Sequence, residues 1–260
     1  VQIVRITDRE SSAYGILQGH EIAVCSGTPF TGLTPTAQTV PLATAQLLTP
    51  CLPGKMIAVW RNSRALLQSR SATSTVDLCY VLKPPSSFIG TGEPIRLPAA
   101  ANNVIFEAEL GIVIGTRCKA VTEADAARFV LGWTIVNEVT ALDIVAREPT
   151  FPQYTRAKGF DTFGVFGPAI QTVFDPAAAR IITYQNGVLR QNFGTSDLVR
   201  GPYRIVSELS HDMTLEPGDV VACGSSLGVE PMRAGDVIRI EIPEIGVLQN
   251  PVIEEPRTAM

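Results

Sequence analysis

The residues best suited to chemistry are two glutamates inside the most apolar run of the chain, Val104 to Gly115. β-Branched residues flank them, which predicts a strand. Side chains two apart in a strand point the same way. Glu107 and Glu109 therefore aim two carboxylates at one side, with Phe106, Ala108 and Leu110 on the other. Like charges so close repel unless a cation lies between them or one is protonated. The competing reading is a solvated strand face, or acids matched by Lys and Arg. A third acid, Glu138, ends the next predicted strand, Thr134 to Val139. Carboxylate oxygens without clustered His or Cys suit Mg²⁺, Mn²⁺ or Ca²⁺ rather than zinc. Lys158, before Gly159, is of a type that holds an oxyanion or shuttles a proton. Arg156 and Arg147 can clamp a substrate carboxylate. Ser225, after Gly224 at a strand end, offers a hydroxyl and nearby N–H groups to a second carboxylate.

The composition sets bounds on this chemistry. The 260 residues are 45% hydrophobic and 18% charged, enough for a large core in one domain or in a small plus a large one. A net charge of −4 with no basic block argues against nucleic acid and anionic membranes as partners. No apolar run is long enough to span a membrane, and no basic, Leu-rich signal opens the chain. The 5 cysteines are scattered without a C-x-x-C pair, which fits free thiols and a cytoplasmic location. The 2 histidines, His20 in a turn and His211 in a last helical turn, leave little material for Ser-His-Asp or His-rich zinc schemes.

The elements that must position these groups follow in order. Residues 1–54 read as a small N-terminal β domain with a hairpin around Gln18-Gly19-His20, ending in a Pro- and Thr-rich connector from Thr28 to Leu52. Residues 55–260 read as the catalytic domain. Lys55 to Trp60 is a strand, and Asn62 caps a short helix to about Ser69. Ser69 to Val76 has no periodic pattern and suits a lid. Thr122-Glu123-Ala124-Asp125 predicts a helix through Leu131. Asn186-Gly187 predicts a hairpin between Ile181–Tyr184 and Val188–Gln191. Tyr203 to Met213 has helical spacing, and strands close the chain before a polar tail from Glu254.

Several of these stretches together resemble the fumarylacetoacetate hydrolase superfamily. The resemblance runs from about Lys55 to Val252. It rests on Lys83-Pro84-Pro85-Ser86-Ser87-Phe88, Phe106-Glu107-Ala108-Glu109-Leu110, Asn137-Glu138-Val139-Thr140, Thr155-Arg156-Ala157-Lys158-Gly159-Phe160-Asp161-Thr162 and Leu215-Glu216-Pro217-Gly218-Asp219. It implies a β-rich α+β fold with a mixed β-roll, a small N-terminal β domain and a homodimer. It implies Mg²⁺ or Mn²⁺ held by Glu107, Glu109 and Glu138, with Lys158 as the site lysine, a Gly224-Ser225 substrate clamp and Thr162 near the ion. The implied substrates are 2-oxo or 2,4-dioxo acids, often from aromatic catabolism, which pass through a metal-stabilised enolate. Hydrolytic or decarboxylating C–C cleavage is the first expectation. Isomerisation or tautomerisation is the alternative, and an inactive dicarboxylate-binding member the third.

Two departures bear on that choice. The third acid is usually Asp, and here it is Glu138. Many hydrolases of the family carry a water-activating His and Glu on the short helix before the lid; the matching helix offers Arg64, Leu67 and Gln68. Arg64 stays protonated and is no general base, though it can bind a substrate carboxylate. Tyr154, with Arg156 and Arg147, is expected to shape the pocket.

Overall fold

The computed structural model describes residues 1–8 and 11–255, so the polar tail lies outside the described residues from 256 onward. Four strands, β1 (Gln2–Asp8), β2 (Ser11–Gln18), β3 (Glu21–Thr28) and β4 (Gly32–Pro41), form an antiparallel meander. The expected hairpin is present: Gln18 pairs Glu21, and Gly19 turns at φ +64°. The first part of the expected connector is instead strand β4, Gly32–Pro41. Its prolines are tolerated because β4 is the sheet edge, where a missing N–H breaks no ladder.

The rest of the chain supplies β5 (Met56–Trp60), β6 (Cys79–Lys83), β7 (Phe88–Ile89), β8 (Ile95–Leu97), β9 (Val104–Ile105), β10 (Ala108–Ile114), β11 (Val130–Glu138), β12 (Thr140–Ala141), β13 (Gly164–Gln171), β14 (Arg180–Gln185), β15 (Val188–Gly194), β16 (Val220–Ala222), β17 (Val237–Ile242) and β18 (Gly246–Glu254). Helices are few and short: α1 (Arg64–Ser69), α2 (Leu142–Val145), α3 (Tyr154–Lys158) and α4 (Pro202–Asp212). The fold is therefore β-rich α+β with mixed sheets. One sheet of 11 strands runs β4-β3-β2-β1-β13-β11-β10-β16-β5-β6, with β7 added beside β13. The N-terminal meander joins it through β1 and β13, Gln2 opposite Gln171 and Ile3 opposite Ile170. A second sheet, β15-β14-β17-β18-β8, closes over the same core, where Phe106, Leu110, Ile112, Ile135 and Phe163 are buried.

Three local departures from the sequence reading have clear causes. The helix expected through Leu131 is only a 3₁₀ turn, Ala126–Phe129, because Val130 already enters β11; Thr122 accepts the Asp125 N–H at 3.2 Å in the turn that precedes it. The cap of α1 is Ser63, whose hydroxyl accepts the Leu66 N–H at 3.0 Å. Asn62 is a buried tie instead, donating to the carbonyls of Arg200 (3.0 Å) and Cys223 (2.8 Å). Finally, the run from Val104 is two strands. The chain leaves β9, which pairs with β12, and enters β10 in the large sheet, so Glu107 sits at the crossing.

Candidate active site

The crossing and the adjacent strand end bring the acids together. The Glu107 N–H donates to Asn137 Oδ1 at 3.1 Å, and the Glu107 carbonyl accepts the Glu138 N–H at 2.8 Å. Glu109 follows inside β10, opposite Val136. All three carboxylates line one cavity of about 290 Å³, together with Lys158, Tyr154, Gly224 and Ser225. Tyr154 and Lys158 are four apart in α3 and so share the face it turns to this cavity.

Lys158 is buried and bonds three groups: Glu138 Oε2, Glu107 Oε2 at 3.1 Å and Thr140 Oγ1 at 2.7 Å. The Thr140 hydroxyl in turn donates a hydrogen bond to Glu107 Oε2 at 2.7 Å. Lys83, wholly buried at the end of β6, holds Glu138 Oε1 and donates to the Val139 carbonyl at 3.0 Å. Glu109 Oε2 accepts the Gly224 N–H at 2.5 Å. Gly224 is required there: its φ is +106°, and a Cβ would come 2.9 Å from Asn62 Cβ. Ser225 accepts from Gln191 Nε2 at 3.0 Å, which leaves its hydroxyl proton available to the cavity.

These contacts set the charges. Burial pushes the Glu109 carboxyl well above its usual range, and the nearby charges of Glu138 and Glu107 push it further. Burial also raises Glu107, against the pull of Lys158. Glu138 is buried too, but the ammonium groups of Lys158 and Lys83 outweigh that cost and hold it at about 2. Burial works against the charge on Lys158, yet Glu107 and Glu138 overcome it and raise its pKa.

Not every expected residue reaches the cavity. Arg156 lies on the other side of α3, in an open groove of about 500 Å³ whose lining includes no carboxylate among the described residues. Arg147 is tied to Asp143 Oδ2 at 2.8 Å and the Ala100 carbonyl at 2.9 Å. Arg64 bonds the carbonyls of Ser196, at 2.8 Å, and Leu198. Thr162 accepts the Arg96 N–H at 2.9 Å, outside the cavity lining. Helix α1 turns Leu66 to the cavity instead, with Arg70 at its C-terminal end. The lid segment is pinned at its far end, where Arg200 Nη2 donates to the Thr75 and Val76 carbonyls at 3.1 and 2.8 Å.

Lys83 and Thr140 were missed as site residues by sequence reasoning. The one available signal was a lysine closing a strand before Pro84-Pro85, which does not reveal its burial. Arg61, which also lines the cavity, gave no signal beyond its place at a strand end.

A divalent ion can be tested against this donor set. Among the described residues, no three His, Cys, Asp or Glu side chains converge as a closed ion cage. Among the described residues, Glu107 Oε1 and Glu109 Oε1 nevertheless accept no hydrogen bond, whereas Lys83 and Lys158 take both oxygens of Glu138. Hard oxygens on Glu107 and Glu109 fit Mg²⁺ or Mn²⁺, and Glu138 joins them only if a lysine releases it.

Comparison with known proteins agrees with this architecture. Residues 55–253 match the family described as fumarylacetoacetate (FAA) hydrolase C-terminal, and residues 2–50 match the Rv2993c-like N-terminal family. Protein Rv2993c of Mycobacterium tuberculosis is 41% identical over 230 residues, 87% of this chain and 86% of the relative. The crystal structure of 5-carboxymethyl-2-hydroxymuconate delta-isomerase from Mycobacterium smegmatis superposes with a TM-score of 0.91 at 39% identity, over 98% of this chain and 100% of that one. A maleylpyruvate hydrolase from Sphingobium, in complex with manganese(II) and pyruvate, matches with a TM-score of 0.80 at 29% identity, over 98% and 99% of the two chains. No helix among the described residues is long and apolar enough to cross a membrane. The chain belongs to the fumarylacetoacetate hydrolase family.

Proposed function

We propose that the chain is a divalent-metal-dependent isomerase that moves a proton on the enol or dienol form of a 2-oxo acid and leaves its carbon skeleton intact. The observation that carries this reading is the face α1 turns to the cavity. It presents Leu66 and Arg70, and no histidine lines the cavity among the described residues. Neither side chain can activate water, because one is apolar and the other, a guanidinium, only donates hydrogen bonds and has no acceptor for a proton.

In this reading Glu107 and Glu109 hold Mg²⁺ or Mn²⁺, with Glu138 as a third ligand if a lysine lets it go. The ion's contribution is Lewis acidity toward the 2-oxo group, which stabilises an enolate. Lys158 Nζ holds the proton that such an enolate takes up. Glu107 and Glu138 hold Lys158 protonated; were a bound cation to draw on those carboxylates, that hold would weaken, and the Nζ proton would be the one delivered to carbon while the enol hydroxyl proton replaced it. The Ser225 hydroxyl orients the C1 carboxylate. Trp60 and Tyr154, edge to face with centroids 5.6 Å apart, supply an angled aromatic wall beside which a conjugated chain can lie.

Hydrolytic C–C cleavage is the second reading, supported by the likeness to the maleylpyruvate hydrolase. Incubation with Mn²⁺ and, in separate runs, a 2-hydroxy-2,4-dienoate and an acylpyruvate, whose 1,3-dicarbonyl water can cleave, separates the two. Loss of dienol absorbance with one product of unchanged carbon number supports isomerisation. Two acid products establish hydrolysis, and CO₂ release establishes decarboxylation.

A further inference from the structure

Gln191 is the one buried residue of β15, which forms the edge of the second sheet; Leu189, Arg190 and Asn192 around it are exposed. An amide taken out of water costs stability unless its oxygen and its N–H groups are matched. Gln191 is matched on both sides. Its Oε1 accepts the Ala108 N–H at 3.4 Å and the Thr183 hydroxyl at 3.3 Å. Its Nε2 donates to Ser225 Oγ at 3.0 Å and to the Ser226 carbonyl at 3.1 Å, with the Leu227 carbonyl at 3.3 Å. Two parts of the site therefore meet at this side chain. Ala108 lies between Glu107 and Glu109 in the chain, and Ser225 follows Gly224, whose N–H holds Glu109.

These partners leave the amide no freedom to turn over. The Ala108 N–H can only donate, and the Ser226 and Leu227 carbonyls can only accept. Oε1 must face the first and Nε2 the others. Ser225 Oγ is thus met by a donor and has to accept. Its own proton has no acceptor among the described residues, and Ser225 lines the cavity, so the hydroxyl is set to donate to what the cavity holds. Ser226 cannot take this role, because its hydroxyl is committed to Asp197 Oδ2 at 2.8 Å and Ser63 Oγ at 3.0 Å. The loop is also held close to the strand. Gly228 has φ +96°, and a Cβ there would come 2.1 Å from the Arg190 carbonyl oxygen and 3.2 Å from Gln191 Cγ.

We propose that Gln191 is a positioning residue: it fixes the Ser225 hydroxyl as a donor, so that the cavity reads an acceptor oxygen of the substrate at that point. The proposal rests on the 2-oxo acid reading above, in which Ser225 orients the C1 carboxylate. Gln191 does not line the cavity and acts only through Ser225. Without the amide, the Ser225 hydroxyl is free to turn its proton away from the cavity. A substrate carboxylate then meets a lone pair in place of a donor, and a charge-assisted hydrogen bond is lost.

The test is a double-mutant cycle read by calorimetric binding of pyruvate to the Mn²⁺-loaded protein, with the Mn²⁺ affinity of each variant measured alongside. Ser225→Ala is expected to weaken pyruvate binding about tenfold or more, as for a lost hydrogen bond to a charged group. Gln191→Met has a similar volume and no amide. It should weaken pyruvate binding about threefold or more in the wild-type background, and by less than about twofold in Ser225→Ala, where the coupled pair is already broken. Mn²⁺ affinity should stay within about threefold of the wild type throughout. Gln191→Asn, whose amide stops one methylene short of Ser225, should show the same coupling and replaces Gln191→Met if that variant does not fold. Equal losses in both backgrounds, or a fall in Mn²⁺ affinity that matches the fall in pyruvate affinity, overturn the positioning role and leave the 2-oxo acid reading standing. A wild-type protein that binds no Mn²⁺, or binds Mn²⁺ without pyruvate, overturns that reading and the role with it.

Discussion

Lys83, wholly buried, is bonded to Glu138 Oε1, while Lys158 holds the other oxygen of the same carboxylate. A single glutamate thus joins two buried ammonium groups that come from β6 and α3. Removing one member of such a set leaves an uncompensated buried charge. Glu138→Gln is therefore expected to destabilise the chain by ~3–5 kcal/mol in urea unfolding. Lys83→Met should lose less, because Glu138 keeps Lys158. Equal stability of Glu138→Gln and wild type would show that these ion pairs do not support the fold. Glu138→Asp retains the charge on a shorter arm and is expected to leave Mn²⁺ binding intact or improve it. A clear loss would mean that the longer side chain is fitted to this site.

Glu107→Gln removes one of the two carboxylates that offer an uncommitted oxygen. Calorimetry should find no Mn²⁺ binding to that variant, and its activity should be lost. Mn²⁺ affinity equal to the wild type would remove Glu107 from the metal site.

Metal affinity is expected to depend on pH. Burial and neighbouring charge raise Glu109, and burial raises Glu107, so at low pH each holds a proton that a cation must displace. Mn²⁺ affinity should rise with pH and level off once both are ionised. For the metal-free chain the sign is opposite. A carboxyl raised in the folded state favours folding at low pH, and that contribution is lost as pH rises through its folded value. The increase in Tm on adding Mn²⁺ should therefore be larger at pH 8 than at pH 5.5. Glu138, held at about 2, stays ionised throughout and contributes stability that is lost only as pH falls from its unfolded value toward 2.

Gly224→Ala tests how Glu109 is held. The added Cβ meets Asn62 Cβ at 2.9 Å on a backbone with φ +106°. The strain should cost about 1–3 kcal/mol of stability. Because the Gly224 N–H also anchors Glu109, Mn²⁺ affinity should fall with it. A variant that keeps full stability and full affinity would show that the Gly224 backbone can shift freely.

Much of the site was legible because it depends on local period. Glu107 and Glu109 stood out as alternate residues in an apolar run, and Asn186-Gly187 announced its hairpin at φ +54° and +78°. What escaped the sequence depends on distant partners or on helix phase. Lys83 is a site residue only because Glu138, 55 positions away, is bonded to it. Arg64 and Arg156 sit on helices of 6 and 5 residues, where an error of one position turns a side chain by about 100°. Two such steps, about 200°, separate Leu66, which faces the cavity, from Arg64, which bonds nearby carbonyls. The β4 edge strand was hidden by its prolines, since only its place in the sheet makes them tolerable.

The central claim is proton transfer without carbon–carbon cleavage. It is tested most directly by NMR of a 2-hydroxy-2,4-dienedioate incubated in D₂O with the protein and Mg²⁺ or Mn²⁺. The expected product is a single isomer of unchanged carbon number, with one deuterium at the newly protonated carbon. It should form well above the uncatalysed rate and only when the metal is present. Released CO₂, an equal rate without metal, or two shorter acids from an acylpyruvate run in parallel would contradict the account.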